Sequence, residues 1–161
     1  MIMLTMTLNS FAQSVANAGA SASVIVPIGV VKVADMNFGN AAVSATSGGI
    51  IILAPSGSRT TGGSGVTLPG TTGSVAAAGF VVTGAPGYTY AITLPSSTLI
   101  TGPGSATMTL NGFTSTPSAT GTLGSGGSQN LAVGASLVVS AAQVPGAYTN
   151  ATAVPVTVNY N

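Results

Sequence analysis

The sequence has no cysteine, histidine, tryptophan or glutamate, and only three of its 161 residues carry a side-chain charge: Lys32, Asp35 and Arg59. Each absence removes a class of chemistry. Paired-carboxylate catalysis needs two acids, a nucleophile triad needs a base, and zinc needs cysteine or histidine. Calcium at Asp35 and Asn37 would have a single carboxylate where an anionic cage is required. A Ser–Lys dyad built on Lys32 is outweighed by a plain surface pair between Lys32 and Asp35, three positions apart. Nucleic acid is excluded as a partner, because neutralising several phosphates takes several basic residues. No enzyme, metal or cofactor is expected. The lack of cysteine fits a secreted protein independent of disulfides and a cytosolic one equally well.

Long apolar runs are missing too. Mean hydropathy is +0.62 and charged residues are 2% of the chain, against roughly 25% in soluble domains. Yet the most apolar stretch, 24–33, is broken by Pro27, Gly29 and Lys32, far short of the ~20 residues of a helical span. The four Phe and four Tyr are too few for the aromatic girdles of a membrane barrel. A membrane-spanning protein is therefore not expected. Ala, Val, Ile and Leu set among uncharged Ser, Thr and Gly leave little charge repulsion between copies, which points to an assembly.

What is present is a β signal. Ala16, Ala18, Ala20, Ala22, Val24, Val26 and Ile28 alternate with mostly polar neighbours, the period of a strand. Pro27 marks an edge, a bulge or a switch between sheets. Apolar segments recur at 29–33, 34–39, 49–54, 66–68, 77–83, 88–94, 105–114 and 131–139, with 55–65 a turn-rich stretch holding Arg59. Ala85-Pro86-Gly87 reads as a tight turn. At the end, Val154, Val156, Val158 and Tyr160 alternate with Pro155, Thr157 and Asn159. No stretch sustains a 3.6-residue period, and no repeat of fixed length occurs. The pattern predicts an all-β sandwich of seven or more antiparallel strands. In the segment 35–39, Met36 and Phe38 should face the core, with Asp35 and Asn37 facing away.

Residues 1–19 form a separate N-terminal segment with two readings, ahead of a single domain at 20–161. As a secretion signal, 1–8 is apolar and Ser10-Phe11-Ala12 or Ala16-Asn17-Ala18 would be the cleavage site, though no basic residue precedes it. As a strand, Ile2, Leu4, Met6 and Leu8 would share one face.

Ala34-Asp35-Met36-Asn37-Phe38-Gly39 resembles the Ala-Asp-Leu-Asn-Phe-Gly signature of a family of secreted bacterial β-domains of unknown function. The resemblance continues through Ser56-Gly57-Ser58-Arg59, residues 88–95 and Phe113-Thr114-Ser115, and ends in Gly146-Ala147-Tyr148 and residues 156–160. That family is similar to spore-coat protein U domains and archaic chaperone–usher pilins. It implies an immunoglobulin-like β-sandwich, incomplete and completed by a donor strand, secreted to the bacterial cell surface. It also implies a homopolymer assembled with a periplasmic chaperone and an outer-membrane usher. Ile2, Leu4, Met6 and Leu8 would be the donor positions, and Val154, Val156, Val158 and Tyr160 the acceptor edge. Gly146 and Tyr148 match the Gly-x-Tyr that precedes the terminal strand of pilins. Two alternatives stand beside this: residues 16–26 as the first strand of a self-complete sandwich, and a monomeric surface domain that binds carbohydrate or protein.

Overall fold

Where apolar side chains recur at every second position the chain runs as a strand with that face inward. The structure, a computed structural model, describes residues 13–161, of which 46% is strand and 2% helix. In chain order the strands are β1 (Gly29–Ala34), β2 (Asn37–Phe38), β3 (Ala42–Val43), β4 (Gly49–Leu53), β5 (Arg59–Gly62), β6 (Val66–Thr67), β7 (Val75–Ala76), β8 (Ala78–Thr83), β9 (Thr89–Thr93), β10 (Ser97–Thr101), β11 (Thr107–Thr116), β12 (Thr120–Thr122), β13 (Ser128–Val139) and β14 (Thr157–Tyr160). A 3-10 turn, Pro103–Ser105, links β10 to β11.

All pairings are antiparallel. The large sheet has seven strands in the order β1-β8-β13-β11-β10, with β4 and β5 continuing from β13. Residues 128–133 of β13 pair with β8 and residues 135–139 with β4, while β11 takes the opposite edge. Between the two partners stands Gly134, where a Cβ would lie 2.2 Å from the Leu53 carbonyl oxygen. Leu131, Val133, Ala135, Leu137 and Val139 all turn inward. In β11 the pairing slips between Asn111 and Thr114. That bulge changes the inward parity, from Leu110 before it to Phe113 and Ser115 after it.

The small sheet, β12-β9-β14, covers half of the large one. Under it Phe80, Val82, Leu131 and Val133 pack with Tyr90, Leu123 and Val158. Tyr90 is fully buried; its phenol donates to Gln129 Oε1 at 2.8 Å, and burial pushes its pKa up. The other half of the core contains Ile51, Leu53, Leu110, Leu137 and Val139 with Phe38, Val66 and Ala153. Among the described residues no second sheet covers it. Two short ribbons, β2–β7 and β3–β6, and the irregular segment 146–154 lie there instead. Met36, Phe113 and Val154 touch both halves.

Two expectations are corrected. Residues 16–26 are not the first strand of a self-complete sandwich: the first strand among the described residues is β1, and residues 13–27 are all exposed, Val24 at 97%. A segment whose apolar face is mostly alanine gains little from burial against the entropy of ordering it. The stretch 55–65 is more than turns, since β5 forms a hairpin with β4. The proposed donor positions Ile2, Leu4, Met6 and Leu8 lie outside the described residues. Among those described, no helix is long and apolar enough to cross a membrane.

Candidate binding groove

The uncovered half of the core opens into a groove of about 750 Å³. Its floor is Ile51, Leu110, Leu137 and Val139 of the large sheet, flanked by Ile100 and Met108. One wall is 34–41, which carries the Asp35–Gly39 motif; the other is 146–154, which carries Gly146 and Tyr148. Motifs more than a hundred residues apart in the chain therefore face each other across one cavity.

Each residue of the first wall has a physical reason. Met36 is half-buried and Phe38 only 9% exposed, while Asp35 and Asn37 face solvent, as the two-residue period requires. Asp35 pairs with Lys32 at 2.6 Å, both well exposed, so the rim presents no net charge. Asn37 Oδ1 accepts the Gly39 N–H at 2.8 Å. Gly39 has φ +66°, a conformation costly for any residue with a Cβ, and a Cβ there would lie 2.2 Å from the Thr72 carbonyl oxygen. The Asn40 N–H donates to that same oxygen at 2.7 Å. Arg59 closes the brace: its Nη1 donates to the Phe38 carbonyl and, at 2.8 Å, to the Asn40 carbonyl.

The second wall hangs on β10. Thr149 and Thr101 exchange backbone hydrogen bonds of 2.9 and 3.1 Å, Asn150 Nδ2 donates to the Leu99 carbonyl at 2.8 Å, and Thr98 Oγ1 donates to the Ala153 carbonyl at 2.7 Å. Tyr148 Oη donates back to the Val144 carbonyl at 2.7 Å and accepts from Gln143 Nε2 at 2.9 Å. A tyrosine bonded in this way to the backbone four residues upstream pins the irregular segment that carries it. The Tyr148 ring lies on Gly102, and Gly146 lies against Pro103, with no room for a Cβ at either glycine. Among the described residues no hydrogen bond joins the two walls.

Of the four positions expected on the acceptor edge, Val154 lines the groove. Val156, Val158 and Tyr160 pack into the closed half, with β14 at the edge of the small sheet. β14 touches β1, the edge strand of the large sheet, and no strand among the described residues bridges the two. The sequence reading missed Arg59, Thr98 and Gln143 as braces. The one available signal was that Arg59, a cation with several donors, stands in a chain with almost nothing for it to pair with.

Fold and groove together define an antiparallel β-sandwich whose core, among the described residues, is left uncovered over half its extent. The model of the family described as Domain of unknown function (DUF4402) matches residues 28–160, and the chain belongs to that family. No curated protein and no solved structure matches it.

Proposed function

We propose that this chain is a structural subunit of an extracellular filament, an incomplete immunoglobulin-like sandwich in which the groove of one copy receives the N-terminal segment of the next. The observation that carries the reading is an open apolar groove in a molecule whose own residues 13–27 lie exposed and outside any strand. An extended segment in the groove would add main-chain hydrogen bonds along a free edge and set alternate side chains into the floor. Eight residues of strand span roughly 27 Å. The chemistry of the two parts agrees, since no charged side chain precedes Lys32 and the rim offers only a neutralised pair. A surface that binds a different surface is heterologous, and such contacts propagate into open fibres. Secretion to the bacterial surface, with a periplasmic chaperone and an outer-membrane usher, follows from the resemblance to pilins and belongs to the same proposal.

Negative-stain microscopy of the full chain and of a chain lacking residues 1–27 tests it. Filaments from the first and monomers or amorphous aggregates from the second are expected. Identical filaments from both would exclude donor-strand exchange, and a full chain that stays monomeric would favour a self-sufficient surface domain.

A further inference from the structure

Residues 13–25 make no hydrogen bond to the body of the domain among the described residues, yet their point of departure is held. Tyr160 Oη donates to the Val26 carbonyl at 2.8 Å and accepts the Ala85 N–H at 2.6 Å. Its ring meets Tyr88 edge-on, centroids 5.7 Å apart and planes at 63°. Gly84 makes the room, since a Cβ there would lie 2.2 Å from the phenol oxygen. The next residue is Pro27, which confines Val26 to extended conformations. Ile28 then packs into the closed half of the core.

This clamp stands at the end of the domain remote from the groove. β1 begins beside Thr83 and ends beside Gly79, where the chain turns into the first groove wall. The strand puts about 17 Å between the two. Residues 13–25, about 40 Å when extended, are long enough to double back and fill their own groove. Tethering sets the effective concentration for such a closure in the millimolar range, above that of free subunits, so a subunit that polymerises needs something to oppose it. Resting on the filament reading above, we propose that Tyr160 is a positioning residue: by pinning Val26 it directs the N-terminal segment out of its own subunit and into a second copy of the chain.

The absence of cysteine makes a disulfide trap clean. Full-length chains carry Ala147→Cys on the groove wall and a second cysteine at Ser21, Ala22 or Ser23 in turn, which samples both faces of the segment. With Tyr160 intact, oxidation should give a ladder of cross-linked oligomers on a non-reducing gel. In Tyr160→Phe, which keeps the ring and removes both hydrogen bonds, the share of internally cross-linked monomer should rise about five-fold, the factor of one hydrogen bond. Pro27→Gly loosens the same junction without touching the core and should shift the ratio in the same direction, even where Tyr160→Phe fails to fold by circular dichroism. An unchanged ladder in both variants overturns the positioning role and leaves the filament reading standing. Internally linked monomer dominating with Tyr160 intact overturns the role as well. No cross-link at any of the three positions overturns the positioning role, and the filament reading then rests on the truncation of residues 1–27 alone.

Discussion

Replacing Gly39 by alanine should weaken the first groove wall by more than its backbone angle alone accounts for. The left-handed conformation at φ +66° costs a residue with a Cβ roughly 1–2 kcal/mol. The new Cβ would lie 2.2 Å from the Thr72 carbonyl oxygen and 2.8 Å from Val75 Cγ2. That oxygen has to retreat, and it is the acceptor of the Asn40 N–H, so about 1 kcal/mol of hydrogen bonding is lost as well. The sum is about 2–3 kcal/mol, or about 4–12 °C in Tm for a chain of this size. Gly57 supplies the control. Its φ is +83° but a Cβ there meets nothing within 4 Å, so Gly57→Ala should lose only the conformational part, about 1–2 kcal/mol. Urea denaturation of both variants reads the difference directly. Equal losses would refute the argument that close packing against 72–75, beyond conformation, makes Gly39 a glycine.

Three further outcomes are expected. Phe38→Ala should cost about 3–5 kcal/mol in the same assay, because the ring is buried among the groove-side core. Tyr148→Phe should cost about 1–1.5 kcal/mol by removing the donor to Val144, and faster amide exchange at 146–150 would locate the loss in the second wall. Melting temperature should be nearly flat from about pH 5 to 9, where one side-chain carboxylate and no histidine leave little to titrate. Above about pH 10 it should fall, because burial raises the Tyr90 phenol and the fold favours its neutral form. That stability is complete below the unfolded value and is lost as pH rises through the folded one. A Tyr90→Phe chain should lack this alkaline contribution, and an equally steep decline in it would count against the assignment.

The parts of the fold that follow from local alternation were legible in the sequence. The faces of Met36 and Phe38 followed from spacing, as did the inward set of Val154, Val156, Val158 and Tyr160. The turn at Ala85-Pro86-Gly87 closes with Gly87 at φ +77° and the Tyr88 N–H on the Ala85 carbonyl at 3.3 Å. Illegible were properties that depend on partners. β5 is Arg-Thr-Thr-Gly, a polar strand that looks like the turns around it until β4 lies beside it. Alternation in 16–28 shows what the segment is able to pair with and says nothing of whether its own domain offers an edge. Arg59 reaches carbonyls about twenty residues away, a contact without local signature. The groove itself arises because β13 changes partner from β8 to β4 while the small sheet stops short.

That change of partner governs when the domain is able to fold. β4, β8 and β11 all precede β13 in the chain, so the large sheet has no spine until residues 128–139 have been made. At ribosomal rates of about 5–20 residues per second, the ninety residues from the start of β4 to the end of β13 take roughly 5–18 s. Through that interval β4, with Ile50, Ile51, Ile52 and Leu53, has only the polar β5 beside it. Pairings so distant in sequence close slowly even once the chain is complete. Unpaired apolar strands in a chain with almost no charge to separate copies are prone to join one another. The early life of this protein therefore favours whatever holds the strands apart until the last third of the chain arrives.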